Sequence, residues 1–278
     1  MDIVIGTLAL RPYVFAFLAA YLVLGARDLG WRSTLVFGGW VWLVAWVSEF
    51  SSTRTGVPFG LYAYTGATRG QELFIADVPF MDALSFTFLA YAAFCLARGT
   101  LGRAASAPRV TVLGGVFMML LDVVIDPVAV RGDRWFLGHL FYYPNGGEYF
   151  GVPLSNFAGW LLVGMVGIGG YILYGCGWRP PGDVAGVEPP IISSTPPASD
   201  PSTRVPLRQS TRAPLEPKST GGIALYYAVL GFNLAVTAWI GEWVLLAVGC
   251  VLHATVAAVV LMLRRRPLPW AEMESQKA

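Results

Sequence analysis

Asp122 and Asp126 stand four residues apart in the run LDVVIDPVAV. Four residues make about one helical turn, so in a helix the two carboxylates lie about 40° apart around the axis and face the same way. Two acids that close in a poorly solvated place resist double ionisation, and one of them holds a proton. A carboxylic acid kept protonated near neutral pH is a proton donor, and its neighbour can orient a water molecule or help to hold the proton. Pro127 follows at once and predicts an end or a kink of the helix, with carbonyls freed near Asp126. Ionisable groups inside an apolar segment are costly and usually face a cavity, a partner or a substrate. The plainer reading of Asp126 is an acid at a helix end, wetted by interfacial water. The same test selects Glu49, which closes STLVFGGWVWLVAWVSEF, and Asp82 in DVPFMDALSF, more than a turn deeper than the interfacial Asp77. The competing reading of Glu49 is an ordinary interfacial acid.

The elements that must position these acids are membrane helices. Of 278 residues, 55% are hydrophobic and 13% charged, far from a soluble average. Seven apolar runs are long enough to cross the hydrocarbon layer, at about 12–29, 33–50, 77–97, 108–127, 155–177, 222–240 and 243–263. The fold class is therefore all-α, a polytopic integral membrane protein with about seven transmembrane helices. The first run lacks a basic leader and a clear cleavage site, which predicts a retained helix. Four stretches follow from this: 1–177 with five helices and the motif-bearing loops, 178–221, 222–265 with two more helices, and a tail at 266–278. Residues 178–221 are rich in Pro, Ser and Thr and read as a disordered cytoplasmic linker.

Basic residues set the orientation, because short cytoplasmic loops collect Lys and Arg. Fourteen of the nineteen fall on the side of Arg27, Arg98, Arg109 and Lys277, against Arg11, Arg54, Arg69, Arg131 and Arg134 on the other. The amino terminus is predicted outside and the carboxyl terminus cytoplasmic, in the cell inner membrane. The four acids then gather near the outer leaflet. The net charge of +2 reflects topology and points to no nucleic-acid partner.

Two outer loops share that leaflet. GVPFGLYAYTG carries Tyr62 and Tyr64, whose default role is anchoring in the headgroup belt. RGDRWFLGHLFYYPNGGEYFGVPLSN carries Trp135 and Tyr149 and reads as an aromatic cap in the interface, with His139 a hydrogen-bonding residue and not a metal ligand. Asn156 and Trp160 open the fifth helix on the same side. Asn233 and His253, in the last two helices, read as hydrogen bonders between packed helices.

Several chemistries are excluded. The only lysines are Lys218 and Lys277, in the linker and the tail, so no Schiff-base lysine is available. Cys95, Cys176 and Cys250 have no ligand spacing for zinc, haem or iron–sulfur clusters, and no phosphate-binding glycine loop is present. The readings predict no metal and no cofactor.

Taken together, GVPFGLYAYTG, LDVVIDPVAVRGDRWF and GEYFGVPLSNFAGW resemble the membrane-integral carotenoid biosynthesis family of the bisanhydrobacterioruberin hydratase type, which acts on the end groups of acyclic carotenoids. The resemblance spans roughly residues 40–165, and the 178–221 segment departs from the family pattern. It implies addition of water across the terminal double bond of a carotenoid ψ-end to give a tertiary alcohol. Its partners would be an acyclic carotenoid, water, the bilayer and other membrane enzymes of carotenoid synthesis. The residues suit that reaction on their own chemistry. Asp122, Asp126, Asp82 and Glu49 are the acids for proton donation and water handling. Aromatic faces such as Trp135, Tyr149 and Trp160 can stabilise a tertiary cation. Tyr62, Tyr64 and Asn156 complete the substrate site. Two other classes stay open: a membrane prenyltransferase holding Mg²⁺ at Asp122 and Asp126, and a non-enzymatic proton-coupled transporter or lipid-binding protein in which the acids relay protons.

Overall fold

A computed structural model describes residues 3–174 and 220–265 of the chain. Residues 178–219 of the predicted linker, the 266–278 tail and Cys176 lie outside the described residues. Eight α-helices are described: α1 (Ile3–Leu10), α2 (Pro12–Asp28), α3 (Trp31–Thr55), α4 (Phe80–Leu101), α5 (Ala107–Ala129), α6 (Leu154–Leu173), α7 (Thr220–Trp239) and α8 (Trp243–Arg265). Six of them are long and apolar enough to cross a membrane, and α1 and α2, bent by 86° at Arg11, pass the same test when taken together. The protein is an all-α polytopic membrane protein.

Pro12 explains the break, since it is tolerated at the start of α2 but could not continue a helix from α1. The helices from α2 onward alternate in direction, so the 56–79 and 130–153 loops lie at one end of the bundle with the start of α2. At the centre is α4, in which every residue from Phe86 to Arg98 is buried. Around it, α3 and α8 turn residues such as Leu35, Val47, Val251 and Met262 outward, the apolar face that lipid requires.

Two departures from the predicted boundaries move the acids. α3 runs to Thr55, so Glu49 stands inside the helix, 4% exposed, and not at its end. The chain then folds back along the helix, with the Phe59 N–H donating to Ser52 Oγ at 2.9 Å, and this return covers the last turns of α3. α4 begins at Phe80, which puts Asp82 in its first turn and not more than a turn deep. The loops above the bundle, and not depth along the helix, enclose it. α5 also continues through Pro127 to Ala129, where the Val130 N–H closes the last turn on the Asp126 carbonyl at 3.0 Å. The proline falls so near the end that only the Val123 carbonyl loses its intrahelical donor.

Short strands tie the two loops into one cap. β1 (Ala63–Tyr64) pairs antiparallel with β4 (Phe141–Tyr142), and Thr65 adds bonds from its N–H to Leu140 O at 2.9 Å and from its hydroxyl to His139 O at 2.5 Å. β2 (Phe74–Ile75) and β3 (Val78–Pro79) form a hairpin that leads into α4. Beneath the cap, α5 and α6 approach at glycine: a Cβ on Gly164 would stand 3.0 Å from Gly115 Cα. Only small residues allow helices this close, and the approach sets the acids of α5 beside Asn156 of α6.

Candidate active site

A cavity opens beneath the cap, with about 930 Å³ of space between atoms including its mouth. Its acids come from three helices: Glu49 of α3, Asp82 of α4 and Asp126 of α5. Asp122 does not line the cavity. It is fully buried one turn deeper and connects to the wall through Asn156 of α6, whose amide nitrogen donates to Asp122 Oδ2 at 2.6 Å and to Asp126 Oδ2 at 2.9 Å. One amide therefore binds both carboxylates. Asp122 Oδ1 is buried with no hydrogen-bond partner, and so is Glu49 Oε2. Unsatisfied buried oxygens are costly unless function or a bound group accounts for them.

Asp82 has a different setting. The Arg11 guanidinium, 2% exposed, donates from Nη1 to Asp82 Oδ1 at 2.5 Å, and from Nε and Nη2 to both oxygens of Glu72 at 3.0 and 2.9 Å. Thr68 Oγ1 supports Glu72 Oε1 at 2.6 Å. Reading the sequence missed Arg11 and Glu72. The signal for Arg11 was present, because a lone arginine between the apolar runs of IVIGTLAL and PYVFAFLA is costly there unless paired. Glu72 sits in a polar loop and offers no such signal. Asp77, the acid read as interfacial, is exposed and pairs with Arg69 and Arg54.

The aromatic candidates divide. Tyr62, Tyr64, Trp135 and Trp160 line the cavity, whereas Tyr149 lies outside its wall, packed edge-on against Phe150 and Phe157. Trp160 stacks on Phe86 with ring centroids 4.2 Å apart. The Pro58 backbone and the Phe59 ring press so near Gly159 that a Cβ there would meet Phe59 Cδ1 at 2.6 Å and Pro58 O at 2.8 Å. This contact seats the 56–62 loop on α6. Tyr62 and Tyr64 thus face inward and are not headgroup anchors, because their loop folds over the bundle and pairs with the 130–153 loop. Burial holds the hydroxyls of Tyr62 and Tyr64 well above their ordinary range, with Glu49 adding to both; burial and Asp126 do the same for Tyr143, whose hydroxyl lies 3.4 Å from Asp126 Oδ2. All three remain neutral hydroxyls.

Asn233 and His253 part company. His253 Nε2 meets Leu120 O of α5 at 3.0 Å, a bond between helices as expected. Asn233 bonds within its own helix, to Val229 O at 2.9 Å, and lines the cavity. It is a wall residue and not a packing bond, because α7 turns that face toward the site. His139 is exposed, its ring against Tyr142. Among the described residues, no three or more His, Cys, Asp or Glu side chains are grouped to hold a metal ion.

An aromatic cavity inside a helical membrane bundle, walled by acids, has the groups to hold an apolar molecule and to move protons or water at one end of it. A family profile described as carotenoid biosynthesis protein matches residues 2–176. The chain belongs to this carotenoid biosynthesis family. Within the family stretch fall Arg11, Glu49, Glu72, Asp82, Asp122, Asp126 and Asn156, while α7 and α8 lie beyond it. The chain is also similar to the bisanhydrobacterioruberin hydratase of Haloarcula japonica, 36% identical over 121 residues, which take in 43% of this chain and 38% of that relative. It thus matches well under half of the relative's length. No solved structure matches the chain.

Proposed function

We propose that the protein hydrates the terminal double bond of an acyclic carotenoid ψ-end, giving a tertiary alcohol. The observation that carries this reading is the position of Asp126 in the wall of an aromatic cavity, joined through one Asn156 amide to the buried Asp122. Hydration of a trisubstituted alkene needs a proton for the less substituted carbon, support for the tertiary cation left behind, and a water held on that cation. Asp126 is the donor in this reading because it reaches the cavity; Asp122, behind the wall, helps Asn156 to hold the proton and the geometry. The donor in this reading is thus the acid nearer the helix end, and not the deeper Asp122. The faces of Trp135 and Trp160 stabilise the cation. The location also suits the substrate, since a polyene lies in the bilayer while its end meets water near the interface. The name of the Haloarcula japonica relative supports the same reaction class.

Expression in a host that makes lycopene or a longer acyclic carotenoid, followed by mass analysis of the pigments, tests the reading. The expected result is a gain of one water per hydrated end. A gain of carbon would favour prenyl transfer, and pigments unchanged at full expression would end the proposal. In the same reading the cavity end of the bundle is the outer one, because the fewer basic residues lie there. A reporter after Lys277 should read cytoplasmic and one near Asn145 external; the opposite pattern would move the site to the cytoplasmic leaflet.

A further inference from the structure

Hydration needs a second proton transfer: the water captured by the cation must lose a proton. Resting on the hydration reading above, we propose that Asp82 is the base that takes this proton and that Arg11 is the residue that positions it.

The geometry sets two of the three cavity acids apart. Asp126 makes no ion pair among the described residues, and its Oδ2 is bound by Asn156 and approached by Tyr143. Asp82 is ion-paired, with Arg11 Nη1 on Oδ1 at 2.5 Å. A carboxylate in an ion pair with a guanidinium is an acceptor, not a donor. Arg11 in turn is held on its other edge by a two-pronged bond to Glu72, whose side chain is fully buried. Asp82 differs from Glu72 in keeping 18% of its side chain exposed, and that surface belongs to the cavity. Glu72 is therefore taken up in holding Arg11, while Arg11 holds one oxygen of Asp82 and leaves the group open to the site. The donor on α5 and the acceptor on α4 line one cavity, as a reaction at two adjacent carbons requires.

The proton balance closes. The Asp126 acid gives its proton to the less substituted carbon, and the π electrons of the alkene form that C–H bond. A lone pair of the water oxygen forms the C–O bond at the tertiary cation. The extra proton on that oxygen passes to Asp82. Transfer of one proton from Asp82 to Asp126 resets the site, and the net change is the addition of one water.

Membranes containing each variant at matched protein level, given an acyclic carotenoid in D₂O, separate this role from a structural one. Product mass reads hydration, and deuterium in recovered substrate reads reversible protonation. Asp82→Asn should lower hydration about a hundredfold or more, yet return deuterated substrate, because Asp126 still forms the cation and the cation collapses by losing a neighbouring proton. Arg11→Gln should do the same, and Arg11→Lys should recover most of the hydration. Asp82→Ala should regain hydration in added formate. A site that Arg11 merely keeps folded would lose hydration and label together. Wild-type-like hydration by Asp82→Asn overturns the proposal; so does absence of label in Asp82→Asn combined with no formate rescue of Asp82→Ala. If the wild-type protein adds no water at all, it is the hydration reading that fails.

Discussion

Two buried arginine–carboxylate clusters join the region of α2 to α4, one at each end of the bundle. At the cap end Arg11, just before α2, holds Asp82 in the first turn of α4. At the other end Arg98, in the last turn of α4, holds Asp28 at the end of α2 with bonds of 2.7 and 3.2 Å. Both arginines are buried, and both pairs tie the region of α2 to α4. They differ in what lies beside them. Asp28 is surrounded by protein, with Tyr91 and Cys95 at 3.4 and 3.7 Å, while Asp82 faces the cavity. The difference teaches that a buried charge is not by itself a sign of chemistry: the Asp28 side chain is enclosed among its neighbours, while the Asp82 side chain keeps surface in the cavity wall.

The comparison breaks most sharply at the acids with no cation. Asp126→Asn removes the proposed donor and should lower hydration by about a hundredfold to ten-thousandfold, with normal insertion, and Asp122→Asn should accumulate unhydrated carotenoid as well. Pigment mass at matched protein level checks both. Near-normal hydration in each would transfer the donor role to Glu49, whose Oε2 is buried and unpaired.

Next in size is the far pair. Asp28→Asn takes the carboxylate charge away from the buried Arg98 guanidinium and should destabilise the bundle by about 3–5 kcal/mol, read as a lower melting temperature in detergent. Hydration per folded molecule should not change. A loss of turnover at full stability would show that the two clusters are not distinct in the way described.

The smallest effect concerns the cap. Tyr62, Tyr64 and Tyr143 bind their protons more tightly in the folded than in the unfolded chain, because burial and nearby carboxylates oppose the phenolate. Their contribution to stability is fully present below the unfolded value of about 10 and declines as pH rises above it toward the folded value. Melting temperature should therefore fall above that pH, and Tyr143→Phe should soften the fall. An unaltered alkaline limb in that variant would remove Tyr143 from the account.

The apolar runs made the helices legible, because a segment that must satisfy its backbone in lipid has few other conformations. Boundaries were less so. The polar tail SSTRT looked like loop, yet it prolongs α3 by more than a turn past Glu49. Asp122 and Asp126 were visible from their spacing, and Asn156 from its place at the head of a helix. What spacing could not tell was which acid reaches the cavity, since both bind Asn156 of α6 and only the packing around the cap leaves open space beside Asp126. Arg11 was legible only as a cost without a partner, and Glu72 not at all, because sixty-one positions separate the pair in the chain.

Composition and periodicity by themselves determined that this is a helical membrane protein with acids near one end of its spans, for hydrophobic length and the cost of charge in lipid are local properties of a segment. Tertiary structure alone decided the rest. It closed two loops into a cap through paired strands, brought α5 against α6 where glycine permits it, and turned Tyr62 and Tyr64 inward. Among the described residues it also left Asp126 without an ion pair while giving one to Asp82. Those outcomes depend on contacts between residues far apart in the chain, and a carboxylate's chemistry follows from the charges and rings that packing places around it.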